Sequence, residues 1–102
     1  MVCGLNETMY LFRKTYDPQN SRIIRKVEKL AEQPRSKAVG KKLEDQFRSF
    51  AWQNLEKMPN ADLLNVRFIP GEIRANGLYW NKSILFIPIE GSEDYYTVAF
   101  YS

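Results

Sequence analysis

Two arginines, Arg67 and Arg74, lie on either side of a Pro70-Gly71 pair, with Glu72 between them. If the strands on each side of this turn pair, the two guanidinium groups approach one another and can stabilise charge on a transferring phosphoryl group. Glu72 or a late tyrosine such as Tyr96 can move protons in a chain that has no histidine. The pattern indicates phosphoryl-transfer chemistry, and the alternative is a set of ordinary sheet-surface residues.

A second group of candidate residues is basic. Residues 1–42 hold ten Lys/Arg and four Asp/Glu, whereas residues 43–102 hold five and eight, so the positive charge is concentrated early in the chain. A row of cations can follow the phosphates of a polyanion, and the alternative is a solvated surface. The candidate nucleic-acid-binding residues are Arg22, Arg25, Lys26, Lys29, Lys41 and Lys42.

Composition limits the class of protein. With 102 residues, 44% of them hydrophobic and 14% aromatic, we expect a single α+β domain over residues 1–102 with a packed core. One cysteine and no histidine predict no disulfide, no metal site and no cofactor. Without a signal peptide or a long apolar run, the chain is predicted to be cytoplasmic, with no membrane partner.

Helical patterns occupy the first half of the chain. Asp17-Pro18 is typical of a helix start, apolar residues follow at 23, 24, 27, 30 and 31, and Pro34 predicts the end. Ser36 is a plausible cap for a second helix, whose apolar positions from Val39 to Met58 recur at steps of three and four. These spacings predict two N-terminal helices, with the basic stripe of the first helix facing solvent.

Strand patterns surround the helical ones. Residues 8–16 are rich in β-favouring types, and residues 64–69, 72–80, 83–89 and 95–101 form short segments separated by turn signals. Asn76-Gly77 interrupts the third of these five segments and is either a hairpin turn or a bulge. The predicted fold class is α+β, with two N-terminal helices packed on one face of a three- to five-stranded antiparallel sheet.

The segment over residues 63–89 resembles the sheet of the RelE/ParE toxin superfamily. The residues that carry the resemblance are Leu-Leu-Asn-Val-Arg-Phe, Pro-Gly-Glu-Ile-Arg, Leu-Tyr-Trp and Asn-Lys-Ser-Ile-Leu-Phe-Ile-Pro-Ile, in that order. The resemblance implies a small basic protein that cuts messenger RNA on the ribosome and pairs with an antitoxin. It also implies that Arg67 and Arg74 neutralise the RNA backbone, with Tyr96 or Tyr101 standing loosely for the family's late tyrosine.

Together these patterns favour a metal-independent endoribonuclease acting on mRNA or the ribosome. Attack of the RNA 2′-OH on its phosphate would be stabilised by Arg67 and Arg74 and assisted by Glu72 or Tyr96. The alternative is a non-catalytic binding protein, such as an immunity protein, a phage-encoded inhibitor or a regulatory adaptor, acting on a target protein. It rests on residues 90–94, which are acidic where the resemblance calls for basic residues, and on the expected exposure of Tyr95, Tyr96 and Tyr101 in the last strand. A third interpretation is a simple nucleic-acid binder, whose affinity falls steeply with salt.

Overall fold

Alternating side chains and short turns build more than half of the described residues into strands. The computed structural model describes residues 8–34, 42–73 and 79–101. Its elements, in chain order, are β1 (Thr8–Asp17), β2 (Asn20–Pro34), α1 (Leu43–Trp52), β3 (Arg67–Ile69), β4 (Glu72–Ile73), β5 (Tyr79–Asn81), β6 (Ile84–Pro88) and β7 (Tyr95–Tyr101). Short 3₁₀ helices at Leu55–Lys57 and Leu63–Asn65 connect α1 to β3.

Five of the strands form one antiparallel sheet in the order β2-β1-β7-β6-β3. The register is fixed by pairs such as Leu11 with Val98 and Leu85 with Val98, which put β7 in the centre. β4 and β5 form a separate two-stranded sheet. In this arrangement β2 and β3 are the edge strands, and residues paired directly across strands share a face.

The core lies between α1 and one face of the five-stranded sheet, which we call the helix face. Phe47 of α1 is fully buried, and its ring centroid lies 5.1 Å from that of Phe100 and 6.1 Å from that of Phe68. Leu11 and Leu85 are also fully buried in this cluster. Alternate residues of β1, β6 and β7 therefore point at the helix, as the period of a half-covered strand requires.

The predicted first helix is wrong, because residues 20–34 form strand β2. The Asp17 carboxylate accepts a hydrogen bond from the Gln19 N–H at 2.8 Å, as in an Asx turn, and the chain reverses there into a hairpin. Register shifts leave Arg25 and Leu30 without partners in β1. Each such bulge changes the spacing of same-face residues from two to three, which imitates a helical period in the sequence.

The predicted fold class is therefore corrected to a sheet-dominated fold with one helix in the described residues. The second predicted helix is shorter than expected: α1 ends at Trp52, and the apolar pattern up to Met58 continues through the 3₁₀ helix. Its predicted start at Ser36 falls outside the described residues. Neither α1 nor the short 3₁₀ helices have the length and apolar character needed to cross a membrane.

The four strands from β3 to β6 form two separate antiparallel pairs. β3 pairs with β6, and β4 pairs with β5, so β3 and β4 do not pair with each other across Pro70-Gly71. The Gly71 N–H donates to the Ser83 hydroxyl at 2.8 Å where the two pairings meet. Residues 72–81 are thus not one continuous strand, and Asn76-Gly77 itself lies outside the described residues.

Candidate nucleic-acid interface

The sheet presents a row of aromatic side chains on the face opposite to α1. Phe12, Thr97 and Phe86 are direct cross-strand partners and so share a face, while the neighbours of Thr97 in β7 point at the core. The other aromatic residues join this face by the alternation of β1 and β7. We call it the aromatic face, and the aromatic residues that the described strands contribute to it are these six: Tyr10, Phe12, Tyr16, Phe86, Tyr95 and Tyr101.

The six rings form two contact groups. Tyr10 and Phe12 stack with centroids 5.5 Å apart and planes inclined by 14°, and Tyr101 meets both rings edge-on at 5.8 and 5.5 Å. In the second group, Tyr95 lies 4.9 Å from Phe86 and 6.0 Å from Tyr16. All six side chains are half-buried, so each ring packs on its neighbours and keeps part of its surface in contact with solvent.

Cationic side chains lie over three of these rings. The Lys82 ammonium is 3.7 Å from the ring centroid of Tyr101, and the Lys29 ammonium is 5.8 Å from that of Tyr10. The Arg67 guanidinium lies 5.3 Å from the ring centroid of Phe86. Lys14 adds a fourth positive charge, since it pairs with Tyr95 between the two groups. These contacts are of the cation–π type and hold positive charge at the aromatic surface.

Negative charge on the same face of the five strands is confined to Glu32, which the register places opposite Tyr10. Glu32 binds the Lys29 ammonium at 2.6 Å, and this hydrogen bond raises the pKa of Lys29 above its usual value. The pKa of Tyr95 is also raised, mainly because burial disfavours the phenolate and secondarily through Tyr16. The described strands of the aromatic face therefore carry more positive than negative charge.

An aromatic surface edged by cations can bind unpaired nucleobases. Every base has a π-face that stacks on an exposed aromatic ring, while lysine and arginine attract the backbone phosphates between the bases. Base-paired nucleic acid offers few such faces, since its bases are already stacked on one another. Such a surface is better suited to a single strand than to a duplex. The described residues contain no group of three acidic or cysteine side chains that could hold a metal ion.

The predicted basic stripe is not a stripe on one surface. Arg22, Arg25, Lys26 and Lys29 are all exposed on β2, but Lys29 pairs with Phe12 and Lys26 with Thr15, which point to opposite faces. Lys26 lies 3.8 Å from Glu28 on the helix side. Of these four residues, Lys29 is the one that contacts an aromatic-face ring.

The other two predicted phosphate-binding residues precede α1. Lys42 is exposed and occupies the N-cap position of α1, which packs on the helix face of the sheet. Its position is therefore separate from the aromatic face. Lys41 lies outside the described residues.

Of the predicted catalytic residues, Arg67 and Tyr96 lie on opposite faces of the sheet. Arg67 is exposed on the aromatic face, whereas Tyr96 is buried on the helix face and donates its hydroxyl to the Pro59 carbonyl at 2.7 Å. Burial raises the pKa of Tyr96, and the nearby Arg13 guanidinium, 5.8 Å from its ring centroid, opposes that rise. Glu72 is exposed at the start of β4, and Arg74 lies outside the described residues.

The acidic loop after β6 has a structural contact. Asp94 accepts a hydrogen bond from the Tyr16 backbone N–H at 3.0 Å, and the Arg13 guanidinium lies 3.4 Å from the same carboxylate. The loop therefore fixes the end of β1 beside β7. Asp94 also lines a cavity of about 570 Å³ together with the β1–β2 turn and Arg25.

Most of the aromatic face was not identified from the sequence as a site. The signal was the strict alternation in residues 8–16, where Tyr10, Phe12, Lys14 and Tyr16 occupy every second position. Splitting that strand into its two faces separates these residues from Met9 and Leu11, which point at the core. Lys82 carries no such signal, because its ring contact depends on how the strands are ordered in the sheet.

No family model, curated protein or solved structure matches this chain.

Proposed function

We propose that this chain binds single-stranded RNA on the aromatic face of its sheet. The observation that carries the proposal is the set of six half-buried aromatic side chains on one sheet face, three of which lie within 3.7–5.8 Å of a cation. Bases would stack on the ring groups, and phosphates would contact Lys14, Lys29, Arg67 and Lys82. We place this activity in the cytoplasm, with RNA or the ribosome as the partner.

Electrostatics supports the same partner. The chain carries a formal net charge of +3, and four cations lie on the aromatic face against one carboxylate on the five strands of that face. A polyanion gains from contact with such a surface because counterions are released from its phosphates. An acidic ligand without bases would use the charges but would leave the six rings without a role.

The direct test is fluorescence anisotropy with labelled single-stranded RNA of about ten nucleotides, compared with the same sequence as a duplex. We expect single-strand binding that Phe12→Leu weakens, since leucine keeps an apolar side chain but removes the stacking surface. Stacking of one base contributes about 1–3 kcal/mol, which corresponds to an affinity loss of about fivefold to more than a hundredfold.

Trp52→Leu is the matched control. Trp52 is an exposed aromatic residue of α1, 40% accessible, so it tests a ring outside the aromatic face. Its replacement should leave RNA affinity unchanged. Equal affinities for wild type and Phe12→Leu, with both proteins folded by circular dichroism, would exclude the aromatic face as the RNA site.

Cleavage of the bound RNA is a further hypothesis, in the sense of a RelE/ParE-like endoribonuclease. Arg67 lies on the aromatic face, where it can stabilise charge on a phosphate, and Arg74 is its predicted partner. Incubating the RNA with wild type and with Arg67→Ala and Arg74→Ala, followed by electrophoresis, tests this step. Intact RNA with wild-type protein would limit the function to binding.

A second candidate function is the binding of a partner protein at the edge strand β2. Ile23, Ile24 and Val27 are 51%, 40% and 54% exposed on this strand, which has β1 as its described neighbour. An edge strand with apolar side chains can accept a strand from another protein. Such a partner, an antitoxin or a target protein, would bind less tightly to Ile23→Ser, which removes an apolar side chain at a position without a partner in β1 and adds no charge. RNA affinity should not respond to that change.

A further inference from the structure

The centre of the aromatic face holds small residues rather than rings. Along β7 this face is formed by Tyr95, Thr97, Ala99 and Tyr101, so two tyrosines flank two short side chains. Thr97 and Ala99 are only 2% and 1% exposed, although both lie between the half-buried rings of this face. A polar side chain is therefore buried in the middle of the surface that would carry RNA.

The Thr97 hydroxyl is buried and has no hydrogen-bond partner in the described structure. A buried polar group without a partner is unfavourable, and valine would fill the same volume without a hydroxyl. Because such groups are uncommon in native proteins, their retention calls for a role outside the stability of the fold. A ligand that reaches this oxygen would supply the missing partner.

The two ring groups lie on either side of Thr97. Phe12 belongs to the group with Tyr10 and Tyr101, Phe86 belongs to the group with Tyr95, and both phenylalanines pair directly with Thr97. The ring contacts that Phe12 and Phe86 make with other aromatic residues in the described structure lie within their own groups. The line between Phe12 and Phe86 is therefore where the surface can open with the least loss of ring packing.

We propose that one nucleobase of the bound strand enters between Phe12 and Phe86 and forms a hydrogen bond with Thr97 Oγ1. This inference rests on the proposed function and makes Thr97 a specificity-determining residue of the same site. Bases stacked on the outer rings are bound through their faces, which all four bases share. The inserted base presents its edge, and a hydroxyl can both donate to and accept from that edge.

The experiment measures the affinities of four homo-oligonucleotides, of adenosine, cytidine, guanosine and uridine, for wild type, Thr97→Val and Thr97→Ser. The wild type should prefer one base, and Thr97→Val should lose about five- to tenfold in affinity for that base and little for the others. Thr97→Ser, which keeps the hydroxyl, should retain the preference. Thr97→Val should fold at least as stably as wild type, which excludes unfolding as the cause.

The possible outcomes separate the two proposals. If Phe12→Leu weakens binding of every oligonucleotide while Thr97→Val leaves all four affinities unchanged, RNA binding stands and the role of Thr97 is refuted. If no oligonucleotide binds to the wild type, both proposals fail together. A base preference that Thr97→Ser loses as completely as Thr97→Val does would also refute a hydroxyl contact.

Discussion

The two faces of the same sheet have opposite chemistry. On the helix face, Leu11, Leu85 and Val98 are fully buried under α1 together with Phe47. On the aromatic face, the neighbouring positions in the same strands hold tyrosines and phenylalanines that remain half-exposed and lie against lysine and arginine. Successive residues of a strand therefore point alternately at the core and at the candidate site.

This difference shows how one sheet can meet two requirements. Aliphatic side chains exclude water from the helix face, which provides the stability of the fold. Tyrosine has an apolar ring and a polar hydroxyl, so it can pack on its neighbours and still meet water or a ligand. Substitutions on the two faces should therefore separate stability from binding.

The largest expected effect contrasts one aliphatic residue from each face. Leu85→Ala should destabilise the fold by about 2–5 kcal/mol, since it opens a cavity where Leu85 is fully buried. Ile69→Ala should cost about 1 kcal/mol or less, because Ile69 is 39% exposed on the aromatic face. Urea unfolding of both variants measures the difference, and equal losses would contradict the assignment of the core to the helix face.

A smaller effect concerns adjacent tyrosines on opposite faces. Tyr96→Phe should lower stability at neutral pH by about 1 kcal/mol, because the Pro59 carbonyl loses the hydroxyl that binds it. Tyr95 has no hydrogen bond of this kind to a backbone carbonyl in the described structure, so Tyr95→Phe should be closer to neutral. Thermal unfolding of the two variants side by side would reveal whether the hydroxyls differ in this way.

The same tyrosines predict a loss of stability in alkali. Burial raises the pKa of both Tyr95 and Tyr96 above the usual value of about 10, so the folded chain holds these protons more tightly than the unfolded chain. The stabilisation that comes from these two protonated hydroxyls is complete below about pH 10. It is lost as the pH rises through the pKa values of Tyr95 and Tyr96 in the folded chain. Between pH 8 and about pH 11, the free energy of unfolding should fall less in the double variant with phenylalanine at both positions than in the wild type. An unchanged loss would assign the alkaline transition to other groups.

The smallest effect tests the charges of the aromatic face. Each phosphate contact to a single strand contributes about −0.7 to the slope of log affinity against log salt concentration, so four cations predict about −3. Lys82→Ala should reduce the slope by about 0.7, whereas Lys57→Ala, an exposed lysine in the 3₁₀ helix, should not change it. A slope that responds equally to both lysines would indicate binding by net charge alone.

The sequence predicted elements with a simple period and missed the one with an altered period. The apolar spacing of Phe47, Phe50 and Ala51 predicted a helix, and the alternation from Tyr95 to Tyr101 predicted a strand. β2 was predicted to be a helix because bulges place Ile24 and Val27, three residues apart, on one face. Asp17 added to the error, since an Asx turn and a helix N-cap both use an acidic side chain to accept a nearby N–H.

The candidate site was less predictable than the fold for a physical reason. Arg67 was selected for its charge, but its contact with Phe86 depends on β3 pairing with β6, which is a long-range choice. Tyr96 and Tyr95 look equivalent in the sequence, and only the register assigns one to the core and the other to the surface. One amino-acid sequence shows the alternation within each strand, but it does not show which strands lie next to each other in the sheet.

The position of the Lys82 ammonium over Tyr101 also affects contact between two copies of the chain. Lys82 also donates to the Phe100 carbonyl at 3.3 Å, so its hydrated charge is held directly above an aromatic ring. A second copy of the chain would have to strip water from that ammonium before it could stack on the ring. The desolvation of this cation therefore opposes stacking between two copies at Tyr101, whereas a negatively charged ligand can form an ion pair with it.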